Sequence, residues 1–264
     1  MKRVVALYRA ERFSPNSVEK DALILQSVVR KLNGCEVILM PEATFTADTQ
    51  ADIIVSMARL PQTLQLLKQK EDEGVVVINS GYGVEACARG RLEGLMRAHN
   101  IPMPPIKGND GYWVKRADAA AQSDKDIVFC SNSDEVDKAV EAMHARGIKD
   151  VVVSAHVVGD LVKFYGVEGT GFFRCYYPND DGMSKFGNEA RNGMAHHYSF
   201  NETALQQTAD SLSALVRTPV YGGDCIITPS GEYKIIDFND WPSFSRCREE
   251  GANAIVKLLK NEQF

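Results

Sequence analysis

The chain predicts a parallel α/β unit at its start followed by a mixed α+β region, and three observations carry that expectation. Four short runs rich in β-branched residues, RVVALY (3–8), CEVILM (35–40), DIIVSM (52–57) and VVVI (75–78), alternate with segments of helical period. A proline-rich joint follows at 102–105, where a helix cannot continue. Beyond it, strand-like runs succeed one another with few helices between them.

In the first unit, residues 18–32 place Leu23, Ile24, Val28 and Leu32 on one stripe, and 60–71 repeat the helical period. Strands alternating with helices indicate a parallel sheet covered on both faces. The fourth strand runs into NSGYGVEACARGRLEGLMRAH (79–99), whose helix should end near His99. After the joint, GYWVK (111–115), DIVFC (126–130), DVVVSAHVV (150–158), LVKFYGV (161–167) and FFRCYY (172–177) read as strands, with one clear helix at 134–146. A polar loop at 178–200, a helix at 202–217, a hairpin in GGDCIITPSGEYKIIDFNDW (222–241) and a helix at 247–260 complete the chain. The expected division is an α/β domain over 1–100, a small lobe over 101–168 and a C-terminal lobe over 169–264.

Composition narrows the function. With 264 residues, 44% hydrophobic and 25% charged, the chain has the make-up of a soluble globular protein. A net charge of -5 without any long Lys/Arg run points away from nucleic acid and anionic membranes. No stretch reaches the ~20 apolar residues of a membrane span, and the opening MKRVVALYRAER lacks a signal-peptide core. Cytoplasm is the expected location, with the oligomeric state, homo-oligomer included, left open. The six cysteines lie far apart with no Cys-x-x-Cys pair, so buried reduced thiols are expected. His196-His197 reads as part of a loop.

The hairpin raises the chemical question. With the turn between Ser230 and Gly231, Asp224 stands opposite Asp237, Cys225 opposite Ile236 and Ile226 opposite Ile235, and Asn239 shares the face of both aspartates. Facing carboxylates repel unless something neutralises them. Two carboxylates and an amide oxygen suit a hard cation with oxygen ligands. Solvated ends of an edge hairpin are the plainer alternative.

Gly81 to Ala86 spell Gly-x-Gly-x-x-Ala between a strand and a helix, one form of the dinucleotide fingerprint. The motif follows the fourth strand instead of the first, and IPMPPI stands where an acidic ribose ligand belongs. A tight strand-to-helix turn is the better reading.

Other features come in a telling order: the Arg-x-Arg helix start in ARGRLEGL, Lys115 ending GYWVK, a short hinge in VVVSAHVVGD, Lys163 and Arg174 on strands, then Asp224 and Asp237-x-Asn239. Across the whole chain that order resembles the ATP-grasp superfamily, in which two α+β lobes hold ATP between them. ARGRLEGL looks like the Ser-Arg-Asp-Lys-Leu stretch of the RimK-type glutamate ligases, with Arg91 at the lysine; YKIIDFNDWPSF looks like their final Glu-x-Asn-x-x-Pro strand, with Asp237 at the glutamate. The Asp-x-Asn ending is closer to the inositol phosphate kinases, and KRADAAAQSDKD lacks the glycine-rich phosphate loop of the ligases.

The resemblance implies ATP with Mg²⁺ or Mn²⁺ as cofactors. Arg91, Lys115, Lys163 and Arg174 would meet the nucleotide, whose adenine would bond to the hinge near Val153, Ser154 and His156, with Asp160 completing the set. Asp224, Asp237 and Asn239 would hold the metal, while Arg174, Arg246 and Lys163 would stabilise the transferred group. Arg9 and Arg12 after the first strand, and Arg246 and Arg248 before the last helix, are candidates for a small anionic substrate. Three functions follow in order of preference: carboxylate–amine ligase, kinase of a phosphorylated polyol, and nucleotide-binding regulator without turnover.

Overall fold

The computed structural model describes residues 1–118, 123–178, 180 and 191–261; most of the polar loop at 178–200 therefore lies outside the described residues. Four strands, β1 (Lys2–Tyr8), β2 (Cys35–Pro41), β3 (Ile53–Ser56) and β4 (Val76–Ile78), form a parallel sheet in the order β2-β1-β3-β4. The four central residues of β1, Val4 to Leu7, are fully buried. Burial on both faces is what a strand between two helical layers requires. One face meets α1 (Val18–Arg30) through Ile24, Leu25 and Val28; the other meets α2 (Pro61–Asp72) through Leu64 and Leu67.

The glycine motif opens α3 (Gly81–Ala86). A Cβ on Gly83 would overlap the carbonyl oxygens of Val216 and Arg217, so this glycine permits close packing of α3 on the end of a later helix. Next come α4 (Arg89–Ala98) and the proline joint. The small antiparallel sheet has the order β6-β5-β7, from β5 (Tyr112–Arg116), β6 (Ile127–Cys130) and β7 (Val151–Ala155), and α5 (Ser133–Ala145) covers one face.

The larger antiparallel sheet has the order β11-β10-β8-β9, from β8 (Asp160–Val167), β9 (Phe172–Tyr176), β10 (Val220–Ile227) and β11 (Tyr233–Asp240). The boundary expected after residue 168 falls inside this sheet, because β8 pairs with both β9 and β10; the sheets change between Ala155 and Asp160. Helix α6 (Glu202–Val216) packs Leu205, Ala209 and Leu212 against Val162, Phe164, Tyr221 and Phe238 on one face.

In the hairpin, Asp224 pairs with Asp237 as expected, although the turn is not where it was expected. The strands next to the turn pair about Ser230 and not about the Ser230–Gly231 bond. Cys225 pairs with Ile235 and Ile226 with Lys234, leaving Ile236 as the extra residue of a β-bulge. The bulge places Ile235 and Phe238 together in the core although they are three residues apart. The turn closes through Gly231, at φ 83°, whose N–H donates to Thr228 O at 2.9 Å.

The last helix, α7 (Arg248–Asn261), returns to the start of the chain. Its Ala252, Ile255, Val256 and Leu259 share a core with Ile24, Leu25 and Val28 of α1 and with Trp241 and Phe244. Buried polar groups stitch the same seam. The Asn79 side chain donates to Val220 O at 2.7 Å and accepts from Val220 N at 2.9 Å. Arg59 forks onto Asp240 at 2.5 and 3.3 Å, and Arg9 donates to Trp241 O at 2.9 Å. All six cysteines are free thiols. No helix among the described residues is long and apolar enough to cross a membrane.

Replacing Asn79 by Ala strands the N–H of Val220 in a fully buried place, while its C=O keeps the N–H of Trp241 at 2.9 Å. The expected cost is about 1–3 kcal/mol for one buried unpaired group, read as a lower urea midpoint; an unchanged midpoint would show that the seam does not depend on this amide.

Candidate active site

Helix α5 takes Val114, Val128, Val151 and Val153 of the small sheet into its core. Side-chain alternation then turns Trp113, Lys115, Phe129, Val152 and Ser154 to the opposite face. That face looks toward β11: Lys115 Nζ donates to Ile236 O at 3.3 Å. The lysine therefore reaches the carbonyl of the bulge residue.

On the large sheet, alternation sets Lys163, Asp224, Asp237 and Asn239 on the face away from α6. Lys163 Nζ lies 3.1 and 3.4 Å from the two oxygens of Asp224, directly across in the β8–β10 register. Asn239 Nδ2 donates to Asp237 Oδ2 at 3.1 Å. Burial by itself pushes the Asp237 carboxyl up, but Arg89, Lys115, the Asn239 amide and Lys163 together hold it below the usual carboxylate range. Burial, then the like charge of Arg89, lowers Lys115 against the opposing pull of Asp237 and Asp224. The repulsion expected between the two aspartates is thus already compensated by the surrounding cations.

The remaining candidates scatter around this cluster. Arg246 donates to Tyr177 O at 3.5 Å and lies 5.4 Å over the Tyr176 ring. Its charge is among those felt by Tyr165, which neighbours Lys163 and Asp224. Arg248 opens α7, with a buried Nε that has no partner among the described residues. Arg174 is exposed, bonded to Glu250 of α7 and stacked 5.3 Å over Phe172.

Other expected ligands are committed elsewhere. Arg9 is spent on Asp21, Met57 O and Trp241 O, and burial together with Arg59 brings its guanidinium down to about 10. It belongs to the seam, away from solvent. Arg12 is exposed and stacks on Phe13. Asp160 has no exposed side-chain surface and accepts the N–H groups of His196 and Tyr198 at 2.8 and 3.0 Å. A buried carboxylate needs such donors, so Asp160 anchors the loop.

At the hinge, Val153 turns its side chain into the α5 core and Ser154 is buried. The N–H groups of Ala155 and His156 are taken by Pro105 O and Gly111 O. His156 Nδ1 accepts from Trp113 Nε1 at 3.1 Å, and burial lowers its pKa.

Arg91 lies on the outside of α4, 70% exposed and 3.6 Å from Glu85. Arg89 takes the inner position, donating to Arg116 O at 2.7 Å. Two residues subtend about 200° on a helix, so the two arginines cannot both face β5. The stripe of Leu92, Leu95 and Met96 was the available signal: both arginines flank it, on opposite sides.

Among the described residues, no group of three or more His, Cys, Asp or Glu lies together. Two carboxylates and an amide nevertheless match what Mg²⁺ takes from a protein when phosphates and water supply the rest.

The chain has the ATP-grasp fold. VanG D-Ala:D-Ser ligase from Enterococcus faecalis superposes with a TM-score of 0.67 at 13% identity, covering 98% of both chains. A RimK domain ATP-grasp protein from Sphaerobacter thermophilus gives 0.63 at 16%, covering 98% of this chain and 99% of its own. D-alanine–D-alanine ligase from Bacillus anthracis, complexed with ATP, gives 0.62 at 9% over 100% of both. No family model and no curated protein sequence matches the chain.

Because Asp237 is held below the unfolded aspartate value of about 3.9, its charge contributes stability above that pH and loses it as pH falls through the native pKa. Asp237→Asn should therefore destabilise the metal-free protein by about 1–3 kcal/mol at pH 7 and by progressively less below pH ~4. Equal or higher stability of the variant at pH 7 would mean that repulsion from Asp224 dominates after all.

Proposed function

We propose that the protein binds Mg·ATP where the small sheet meets β11, and uses it to activate a carboxylate as an acyl phosphate for ligation to an amine or similar nucleophile. The observation that carries this reading is the convergence of Lys115, Lys163, Asp224, Asp237 and Asn239 from both sheets onto one partly buried place. A polyphosphate needs cations at fixed positions, and these two lysines are fixed on strands. Asp224, Asp237 and Asn239 would hold Mg²⁺, which when bound neutralises charge on the phosphates. The acceptor carboxylate oxygen attacks the γ-phosphorus, ADP leaves, and the nucleophile then displaces phosphate from the acyl carbon. Arg246 and Arg248, before and at the start of α7, are the assigned holders of the anionic acceptor. Arg246 also stabilises the transferred group; Arg174, exposed and paired with Glu250, is the weaker candidate for that role.

The ligases of the same fold support this choice of reaction. Aspartate at position 237, as in the inositol phosphate kinases, favours phosphoryl transfer to a hydroxyl as the second reading. The product distinguishes them. With Mg·ATP and a metabolite extract, a ligase releases ADP and free phosphate, whereas a kinase leaves the phosphate on a metabolite.

Lys115→Met should weaken a non-hydrolysable ATP analogue with Mg²⁺ at least tenfold, about 1.4 kcal/mol, without lowering the melting temperature, since the lysine's charge is itself disfavoured by burial. Calorimetry on both proteins checks this. Wild-type protein that takes up no analogue at millimolar concentration would defeat the whole reading.

A further inference from the structure

We infer that Arg89, and not Arg91, is the second fixed cation for the phosphate chain of the nucleotide, a role that rests on the reading of the site as a Mg·ATP site. Arg89 begins α4, and its Nη1 donates to the carbonyl of Arg116, the residue next to Lys115. Bonding to a backbone carbonyl fixes the guanidinium without cancelling its charge. Among the described residues Arg89 enters no ion pair, in contrast to Arg59, Arg97 and Arg217, whose carboxylate partners lie within 2.8 Å. A guanidinium has five donors in a rigid fork, so four remain beyond the one given to Arg116.

The charge balance points the same way. Lys163 lies 3.1 Å from Asp224, while Asp237 feels Arg89 and Lys115 ahead of Lys163. Glu93, whose charge also acts on Lys115, is paired with Arg97 at 2.5 Å, so beside that balanced pair the cluster Arg89, Lys115, Lys163, Asp224 and Asp237 carries three positive and two negative charges. That surplus sits where Lys115 is partly buried, and desolvation makes two adjacent cations costly unless an anion joins them. A triphosphate is an anion of suitable charge and extent for two cations on separate elements, one on a strand and one at a helix start. Arg91 lacks these properties: it is 70% exposed and its nearest partner is Glu85 on α3.

The test compares phosphate-dependent with phosphate-independent binding. Arg89→Met, Arg89→Lys and Arg91→Met are titrated with a non-hydrolysable ATP analogue plus Mg²⁺ and, separately, with adenosine. The expected result is a loss of tenfold or more for the analogue in Arg89→Met, partial recovery in Arg89→Lys, unchanged adenosine affinity in both, and no loss in Arg91→Met. Equal weakening of analogue and adenosine would make Arg89 a structural tie between α4 and β5 and overturn the inference, as would analogue binding insensitive to Arg89→Met. If wild-type protein binds adenosine but not the analogue, or neither, the Mg·ATP reading itself fails, an outcome distinct from a variant that differs from a competent parent.

Discussion

A single buried carboxylate, that of Asp240, joins the parts of this molecule that have to stay in register. It ends the strand that carries Asp237 and Asn239, and its oxygens receive the fork of Arg59 from the connection between β3 and α2. Burial works against the Arg59 charge, yet the charge and hydrogen bonds of Asp240 hold its pKa above the ordinary value. Arg9 approaches the same carboxylate at 3.8 Å while bonding to Asp21 and Trp241 O. Glu42, almost fully buried, fixes the backbone on either side by accepting the N–H groups of Ala10, Arg59 and Leu60. Charges taken out of water at such cost persist only when fully paired. Their pairing fixes the β11 end against the carboxyl edge of the parallel sheet, where α/β proteins place their ligands.

The hairpin shows how one irregularity serves packing and chemistry together. The bulge at Ile236 lets Ile235 and Phe238 both enter the core beneath the large sheet. It also sets Asp237 across from Asp224 and offers the Ile236 carbonyl to Lys115. Basic side chains from α4, β5 and β8 then surround Asp237. The resulting place is polar and partly closed to water, where electrostatic interactions are stronger than on the open surface.

Much of this was legible in the sequence, for identifiable reasons. The strands declare themselves because β-branched runs in a parallel sheet have no polar face to break them. The pairing of Asp224 with Asp237 is met because two departures cancel: the strands pair about Ser230 instead of the Ser230–Gly231 bond, and the bulge restores the register. The bulge itself is not legible, because YKIID presents two adjacent isoleucines and either could fill the core position. Arg91 is indicated by its place in the resembled motif, and because Arg89 and Arg91 flank one apolar stripe, only the direction of α4 shows that Arg89 lies inward. Asp160 looked like a cleft residue, but its partners His196 and Tyr198 lie more than thirty residues away. Arg59 and Asp240 are 181 residues apart, and no local pattern marks such a pair.

The return of α7 to pack on α1 has a consequence for synthesis. The face of β1 carrying Val4 and Ala6, together with Ile24, Leu25 and Val28, is completed by residues 252–259, made more than two hundred residues later. At roughly 5–20 residues per second, translation leaves that face uncovered for ~10 s or more after the first sheet has emerged. The N-terminal unit therefore cannot finish folding until α7 has emerged. Its first strands wait as an open apolar surface, and a chain that stalls before α7 would be a substrate for chaperones.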